Sequence, residues 1–434
     1  MDSFQYKDGQ LYCDDVAIDD IARKVGTPVY VYSRRTLEDH YDRLYSAFGV
    51  LDPVICYSIK SCGNMHICKV LSDRGAGMDV VSGGELFRAK QAGANMAKVV
   101  YAGVGKTDDE IIQGIEANIG YFNIESEAEF ENIAAIAKRM NATARGALRV
   151  NPDVADPKTH AKTTTGKKET KFGVDIDRAK RFFERYGKDE HLKLCALHLH
   201  IGSPIYSAEP YERAITKALE LIADLRTAGH TVNAIDIGGG FAADYESGAS
   251  PAWESYAEKI VPLLKPFHDE GGTIILEPGR TIAGNAGVLI TRVQYIKMGG
   301  SKKFVIVDSG MHHLIRPAMY DAFHFIWPTK VAPMHEPKQR QAAPDLPGLE
   351  SVDIVGPICE TGDSLAKGRP FPPVARGDLL SVFTAGAYGM AMASNYNAMP
   401  RPPEVLVESD KTTVIRRRET YDDLVALEQQ PQSV

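Results

Sequence analysis

Lys60 stands at the end of a β-forming run, an unusual place for a single charged side chain. The stretch VICYSIK (54–60) is rich in β-branched and aromatic residues, and an apolar helical pattern starts soon after Asn64. A lysine amine at the carboxyl end of a strand can pair with a carboxylate, or it can form a Schiff base with a carbonyl compound. The other chemically distinctive residues decide between these roles.

Three consecutive glycines, Gly238, Gly239 and Gly240, end another β-rich run, IDIGGGF. Glycines let backbone N–H groups approach an anion closely, and they adopt positive φ at little cost. The run therefore indicates a phosphate site, although a simple tight turn would also explain it. Possible partners for a phosphate in the HLHIGS and LEPGR stretches are Ser203, Gly279 and Arg280.

His198 and His200 are two residues apart in a β-rich run, so both side chains project from one face of the strand. The pair could bind a metal, one ring could lie flat on an aromatic ligand, or both could be structural. Glu277 ends the apolar TIIL run and needs a partner if it is buried, either a neighbouring base or a protonated ring nitrogen. Combined with Lys60 and the glycines, these groups predict pyridoxal phosphate bound as a Schiff base.

The elements that would position these residues alternate between strands and helices. Parallel pairing follows from such alternation, and eight strand–helix units favour a closed (β/α)₈ TIM barrel over an open doubly wound sheet. The distinctive residues fall at the carboxyl ends of the strands, where barrel enzymes build their sites. The eight predicted strands are ICYSIK, GMDVVS, KVVYAG, YFNIES, GALRVN, LCALHLHIGS, AIDIGGG and TIILEPGR.

The chain after the barrel has a different pattern. Runs such as VLITRVQYIKM and LLSVFTAG, with proline-rich interruptions, predict a mainly β C-terminal domain. TPVYVYS near the N-terminus is expected to supply this domain with a strand. We therefore predict a barrel over residues 34–281 and a β-rich domain from residues 1–33 and 282–434.

One lysine-rich segment fits neither period. DPKTHAKTTTGKKETKFG (156–173) carries five lysines and two acidic residues. It could be a solvated loop or a lid whose positive charge attracts an anionic substrate.

Composition excludes several classes of function. The formal net charge of −7 argues against nucleic acid as a partner. No apolar stretch reaches the length of a membrane span, and MDSFQYKDGQ lacks the regions of a signal peptide. The six cysteines form no C-x-x-C pair, which argues against disulfides or structural zinc and favours free thiols in the cytoplasm.

Taken in order, these stretches resemble the fold-type III pyridoxal-phosphate decarboxylases, which share an alanine-racemase-like barrel. Within that family the similarity is greatest to members acting on diaminopimelate, and it spans nearly the whole chain. Decarboxylation of meso-2,6-diaminopimelate to L-lysine and carbon dioxide is the implied activity. The supporting stretches are YSIKSCGN, FNIESEAEF, RVNPDV, THAKTTTGKKETKFG, HLHIGS, DIGGGF, EPGR, DSGMHHLIRPAMYDAFH, VGPICETGD and GAYGM.

The resemblance implies roles for individual residues. Lys60 carries the cofactor, with Asp79 supporting the site nearby. His200 stacks on the cofactor ring, and Glu277 pairs with the pyridine nitrogen. The residues implied around the cofactor phosphate are Ser203, Gly238, Gly239, Gly240, Arg280 and Tyr388.

For the substrate, the resemblance points to residues late in the chain. Cys359 is expected to protonate the reacting carbon, and Glu360 to contact the distal amine. Arg316 and Tyr320 are expected to bind the distal carboxylate, with help from Arg280, and Tyr388 to contact the substrate. The resemblance also implies a homodimer in which the Cys359 loop completes the neighbouring subunit's barrel site.

Other activities compete with this interpretation. A related decarboxylase could act on carboxynorspermidine, a D-amino acid or a carrier-bound amino acid, although Arg316 favours a substrate with a distal carboxylate. Cys359 and the Arg316 stretch fit a decarboxylase better than a racemase. A metal-dependent hydrolase would place its His-x-His pair on the first strand rather than the sixth, and a non-catalytic regulator should have lost Lys60 or Cys359.

Overall fold

The computed structural model describes residues 2–154, 171–247 and 250–429. The lysine-rich segment falls mostly on residues 155–170, so the lid hypothesis lies outside the described residues. The chain divides into two units. The barrel unit is Glu38–Ala242 with Pro251–Thr281, and the β unit is Met1–Leu37, Ala243–Ser250 and Ile282–Val434. Among the described helices, none has the length and apolar character that crossing a membrane requires.

The N-terminal elements belong to the β unit up to Leu37, and the helix Arg34–Phe48 continues into the barrel unit. An antiparallel three-stranded sheet comes first, followed by a helix with acidic residues in its first turn and basic residues in its last, which suits the helix dipole. The elements are β1 (Phe4–Lys7), β2 (Gln10–Cys13), β3 (Val16–Ala17), α1 (Ile18–Val25), β4 (Val29–Ser33) and α2 (Arg34–Phe48).

Eight parallel strands close into a barrel, which confirms the predicted fold. Each strand pairs with the next along the chain, and the eighth returns to pair with the first through Ile275–Val54 and Leu276–Ile55. The strands are β5 (Val54–Ser58), β6 (Gly77–Val80), β7 (Val99–Tyr101), β8 (Tyr121–Ile124), β9 (Ala144–Asn151), β11 (Leu192–His198), β12 (Ala234–Asp236) and β13 (Thr273–Leu276). A two-residue strand, β10 (Val174–Asp175), adds to the edge of β9.

Helices follow the strands, and side-chain caps fix several of their starts. Thr107 and Glu110 form a capping box at the start of one helix, while Ser82 and Ser126 each accept a backbone N–H at the start of two others. The helices are α3 (Met65–Asp73), α4 (Gly83–Gln91), α5 (Asp108–Glu116), α6 (Glu127–Arg139), α7 (Ile176–Tyr186), α8 (Glu209–Thr227) and α9 (Trp253–Asp269).

The barrel is filled by side chains rather than open. A buried cluster draws on all but one of the eight strands, and its small members let the strands close tightly. The cluster consists of Cys56, Val100, Tyr121, Ala147, Cys195, Ala196, Ala234 and Ile275. Because this core fixes the strands, the residues at their carboxyl ends stand on a rigid frame.

A second sheet organises the rest of the β unit. The N-terminal strand β4 lies inside it, antiparallel to the strand that begins at Gly287 and parallel to the one that begins at Glu404. The remaining elements are α10 (Arg280–Ala283), β14 (Gly287–Gly299), β15 (Lys302–Val307), α11 (Arg316–Tyr320), β16 (Ile326–Pro328), β17 (Glu350–Val355), β18 (Ser364–Phe371), β19 (Leu379–Val382), β20 (Glu404–Glu408), β21 (Lys411–Arg416) and α12 (Tyr421–Val425).

Candidate active site

Lys60 lies in a short 3-10 turn, Ile59–Ser61, directly after β5. Its Nζ is 2.7 Å from Oδ2 of Asp79 on β6, and its side chain is 31% exposed while that of Asp79 is fully buried. The hydroxyl of Ser58 donates to the same carboxylate oxygen at 2.5 Å. Burial raises the pKa of Asp79, and the Lys60 ammonium opposes that shift. The ion pair thus holds the amine at the mouth of the barrel.

Glu277 follows β13 and is buried. Its Oε1 accepts a hydrogen bond from Nδ2 of Asn123 at 3.1 Å, and its Oε2 lies 3.2 Å from Nε2 of His198. Burial disfavours the charged carboxylate, but the neighbouring His198 and Lys60 outweigh it and hold the pKa of Glu277 well below its usual range. Glu277 is therefore a negative charge fixed inside the barrel.

Asp236 is a second carboxyl group beside Glu277. Ligand-type atoms of His198, Asp236 and Glu277 all lie within 4.8 Å of one another. Burial, and then the charge of Glu277, raise the pKa of Asp236 well above its ordinary value, which favours the protonated form of Asp236 beside the Glu277 carboxylate. The direct His198–Glu277 contact makes this a hydrogen-bonded cluster, and His200, the other member of the pair considered for a metal, is not part of it.

The three glycines lie where the ends of β11, β12 and β13 converge. Gly238 and Gly240 have φ of +72° and +102°, and an added Cβ would strike the carbonyl oxygens of Leu199 and Gly202 respectively. At Gly239 it would strike the carbonyl oxygen of Glu277. Only glycine satisfies both the dihedral angles and this close packing.

Arg280 and Ser203 meet at the same corner of the barrel. Nε of Arg280 donates to Oγ of Ser203 at 3.3 Å. Gly279, next to Arg280, packs so closely on β5 that a Cβ would lie 2.9 Å from Cβ of Ser58. The corner thus combines a guanidinium, a hydroxyl and a glycine-lined backbone, the groups that bind a phosphate dianion.

His200 is neutral and has a defined tautomer. Its Nδ1 accepts a hydrogen bond from the backbone N–H of Gly202 at 3.2 Å, so the ring proton is on Nε2. Burial and the positive charges of Arg149 and Lys60 hold the pKa of His200 well below its usual range. A neutral, fixed imidazole is suited to packing flat on an aromatic ring.

The barrel residues fit pyridoxal phosphate. Lys60 offers an amine for the aldehyde, the corner at Ser203 and Arg280 offers donors for the phosphate, and Glu277 offers a charge for the ring nitrogen. Oδ1 of Asp79 is buried and has no hydrogen-bond partner among the described residues. A buried oxygen of this kind is normally satisfied, so it is consistent with a polar group binding beside Lys60.

Arg316, the predicted carboxylate partner, begins α11 in the β unit and is buried. Its Nη1 lies 2.8 Å from Nε2 of His324, whose Nδ1 lies 2.9 Å from the carbonyl oxygen of Phe383. A carbonyl only accepts, so Nδ1 carries the proton and Nε2 accepts from the arginine. The guanidinium also lies 4.6 Å over the ring of Tyr245. Tyr320, four residues along the same helix, shares the face of Arg316.

Cys359 and Glu360 lie on an exposed loop of the β unit. The backbone N–H of Cys359 donates to Oδ1 of Asn397 at 2.8 Å. Behind the loop, the two carboxylate oxygens of Asp363 accept the backbone N–H groups of Met311 and Ile358, at 2.6 and 2.7 Å. Asp363 thus ties together the segments on either side of the loop and sets its course.

Tyr388 adopts a left-handed backbone, with φ of +56°. This conformation is uncommon for a residue with a large side chain and is concentrated at functional sites.

The predicted site residues fall into two groups, one in each unit. The structure directly joins Lys60 with Asp79, and Arg280 with Ser203, at the barrel mouth. Several residues that contact these groups were not assigned a role from the sequence. Of these, Asp236 gave the clearest signal, since an acid stands two residues before the glycine run in an apolar strand. The others are Ser58, Asn123, His324, Asp363 and Asn397.

Comparisons with known proteins identify the family of the chain. The family model described as pyridoxal-dependent decarboxylase, pyridoxal binding domain, matches residues 34–284. The chain is 44% identical over 422 residues to a diaminopimelate decarboxylase of Aquifex aeolicus, covering 97% of this chain and 96% of that protein. It is 42% identical over 426 residues to a diaminopimelate decarboxylase of Pseudomonas aeruginosa, covering 98% of each.

Solved structures give the same result. The crystal structure of diaminopimelate decarboxylase from M. jannaschii in complex with L-lysine superposes with a TM-score of 0.91 at 36% identity, covering 99% of this chain and 98% of that one. A family match over residues 34–284, and relatives above 40% identity over nearly the full length of the chain, show the family and imply pyridoxal phosphate as its cofactor. The chain therefore belongs to the diaminopimelate decarboxylases, a family of pyridoxal-phosphate-dependent carboxy-lyases.

Proposed function

We propose that this protein converts meso-diaminopimelate to L-lysine and carbon dioxide, with pyridoxal phosphate bound at the barrel mouth. The observation that carries the proposal is the arrangement of Lys60, paired with Asp79 at 2.7 Å, in the same barrel as the ionised, buried Glu277. An accessible amine and a fixed negative charge are the two groups that pyridoxal phosphate requires of its protein.

The residues that would hold the cofactor divide by the part they bind. Lys60 would bind the aldehyde carbon, Glu277 the ring nitrogen and His200 the face of the ring. The phosphate would be held by Ser203, Gly238, Gly239, Gly240, Gly279 and Arg280, with Tyr388 contributing from the β unit. When bound, pyridoxal phosphate supplies an electron sink for the pair left on the α-carbon.

The protein's own groups complete the reaction. The α-carboxylate leaves as carbon dioxide, its bonding electrons stay on the α-carbon, and a proton takes its place. We assign delivery of that proton to the Cys359 thiol. Asp79 holds the Lys60 amine, so that the amine can be displaced by substrate and can return when the product leaves.

Substrate selection is assigned to the β unit. Arg316 and Tyr320 would bind the distal carboxylate of diaminopimelate, with Arg280 assisting, and Glu360 would bind the distal amine. A buried guanidinium suits a carboxylate because its planar donors can form two parallel hydrogen bonds.

We also propose the domain roles and the assembly. The barrel, residues 34–281, would bind the cofactor, and residues 1–33 with 282–434 would contribute to the active site and to a homodimer interface. In the dimer, the Cys359 loop of one subunit would serve the barrel of the other. We place the enzyme in the cytoplasm, since all six cysteines are unpaired, as expected where thiols are kept reduced.

Product analysis tests the substrate. Purified holoenzyme supplied with meso-diaminopimelate should release lysine and carbon dioxide in equal amounts, whereas lysine and ornithine should release none. Turnover of carboxynorspermidine or of a D-amino acid, without turnover of diaminopimelate, would instead favour one of the related decarboxylases.

Borohydride reduction of the holoenzyme tests the cofactor site. The reduced pyridoxyl group should map to Lys60, and Lys60→Arg should accept no label. Lys69→Arg is the matched control and should be labelled at Lys60 as wild type is. Lys69 is an exposed lysine whose ion-pair partner, Asp73, lies one helical turn further along the chain. Label on any lysine other than Lys60 would contradict the assignment.

A further inference from the structure

Two side chains from different strands hold the carboxylate of Glu277, one on each oxygen. Asn123 on β8 donates from Nδ2 to Oε1 at 3.1 Å, and His198 at the end of β11 contacts Oε2 through Nε2 at 3.2 Å. All three side chains are buried, with residue exposures of 2% or less. Because an ionised carboxylate only accepts hydrogen bonds, both contacts are donated to it. His198 therefore carries its proton on Nε2.

The backbone of Asn123 is fixed by a buried lysine. Its backbone carbonyl accepts a hydrogen bond from Nζ of Lys106 at 2.9 Å, and the Lys106 side chain is only 1% exposed. The same ammonium donates to Glu129 at 2.5 Å and to the carbonyl oxygen of Gly103 at 2.8 Å. All three donors of Lys106 are thereby used to lock the end of β8. The backbone of Asn123 is thereby fixed, so its side chain extends toward Glu277 from a rigid strand end.

Hydrogen bonds to both oxygens fix the orientation of the Glu277 carboxylate. A carboxylate with one fixed oxygen could still turn about its terminal bond, which is a soft torsion. Donors on both oxygens, one from β8 and one from β11, oppose that rotation, and the Asp236 carboxyl on β12 adds a further hydrogen bond to the same group. The carboxylate plane is thus set by strands on two sides of the barrel and not by Glu277 alone.

We infer that Asn123 and His198 are positioning residues that hold the Glu277 carboxylate in the orientation needed to meet the cationic ring nitrogen of pyridoxal phosphate. The inference rests on the proposed function, because it requires the cofactor ring to bind against Glu277. Neither residue has to touch the cofactor. Their effect is transmitted through one carboxylate to one atom of the ring.

Cofactor analogues give the test a readout other than turnover. Apoenzyme would be titrated with pyridoxal phosphate and with its 1-deaza analogue, in which a carbon replaces the ring nitrogen. Asn123→Ala and His198→Leu should each weaken binding of pyridoxal phosphate about tenfold, since each removes a hydrogen bond to a charged group. Binding of the deaza analogue should change by less than about twofold, because it has no ring nitrogen for Glu277 to meet.

Conservative and matched variants separate positioning from general damage. His198→Gln keeps an N–H near the position of Nε2 and should bind pyridoxal phosphate almost as wild type does. Asn132→Ala removes an exposed hydrogen bond to Asp108 in the same unit and should leave both affinities unchanged. Thermal unfolding of each apoenzyme identifies any variant that is not folded.

The outcomes are distinct. A loss confined to pyridoxal phosphate supports the inference. An equal loss for both cofactors, or no loss for either, overturns it, because the residues would then be only structural or without influence. If wild-type apoenzyme binds no pyridoxal phosphate, the proposed function itself is contradicted. This outcome is measured on the wild type alone, so it cannot be confused with a failure of the positioning inference.

Discussion

At the scale of single residues, the distinctive feature of the proposed substrate site is how Arg316 is held. Its partner in the β unit is the neutral imidazole of His324, whose tautomer is set by the carbonyl oxygen of Phe383. The imidazole accepts from Nη1 of Arg316 and so orients the guanidinium. Tyr245 supports the same group through its ring face. These contacts prepare a buried cation for an anionic ligand.

Replacing Arg316 tests its proposed role in selecting the substrate. Arg316→Ala should reduce kcat/KM for meso-diaminopimelate by an amount equivalent to about 2–5 kcal/mol of transition-state binding, because a buried charge-assisted contact is lost. Steady-state kinetics measure this change, and the visible absorption of bound cofactor should be unaltered.

Arg376→Ala is the control for the Arg316 variant, since Arg376 is an exposed arginine of the same unit. It should retain wild-type kcat/KM. Undiminished turnover of diaminopimelate by Arg316→Ala would remove the basis for assigning the distal carboxylate to this residue.

At the scale of elements, the barrel could be predicted from the sequence because its signal is local. Every predicted strand overlaps an observed one, since each is a short β-rich run followed by an amphipathic segment. The small N-terminal sheet was not predicted. Its strands β1, β2 and β3 have only two to four residues each, too few to show an alternation of apolar and polar side chains. TPVYVYS was expected to give the β-rich domain a strand, and β4 does pair with β14 and β20, but the choice of those two partners carries no local signal because they lie far along the chain.

The same limit applies to the site. Lys60 and Glu277 could be placed at strand ends from the hydrophobic periodicity of the sequence and the expected closure of the barrel. The hydrogen bond from Asn123 to Glu277 joins residues 154 positions apart, so periodicity carries no information about it. Likewise, no local pattern relates Asp363 to Met311, 52 positions away. The sequence therefore predicts which residues reach the barrel mouth, but not which atoms meet there.

Asp363 offers a test of how the Cys359 loop is shaped. The carboxylate accepts two backbone N–H groups, and a Cβ on Gly310 or Gly356 would clash with it. Asp363→Ala leaves both N–H groups without this acceptor, so the free energy of unfolding should fall by about 1–3 kcal/mol. Denaturant unfolding measures the loss, and kcat should fall with it because the loop is released.

Asp363→Asn should be intermediate, since the amide retains one accepting oxygen. Asp410→Ala, at an exposed turn of the same unit, should match wild type in both measurements. Wild-type stability and kcat in Asp363→Ala would show that the loop is held by other contacts.

At the scale of the whole molecule, the proposed catalytic groups belong to different parts of the chain. Lys60 is in the barrel unit and Cys359 in the β unit, and Cys359 is the only exposed one of the six cysteines. A thiol that donates a proton must reach solvent or substrate, and the other five are buried. In the proposed homodimer, the exposed Cys359 loop would complete the site of the other subunit.

Mixing two inactive variants tests this shared site. Lys60→Ala and Cys359→Ala enzymes should each be inactive alone. If sites are shared, a mixed dimer has one site with both defects and one site with none. With random exchange of equal amounts, half of the dimers are mixed and half of their sites are intact, so about a quarter of wild-type activity should return.

Lys60→Ala mixed with Glu277→Gln is the matched control. Both defects are in the barrel, so every site of a mixed dimer contains one defective barrel and no activity should return. Subunit exchange would be verified with differently tagged chains. If exchange is complete and the first mixture remains as inactive as the control, Cys359 serves the barrel of its own chain.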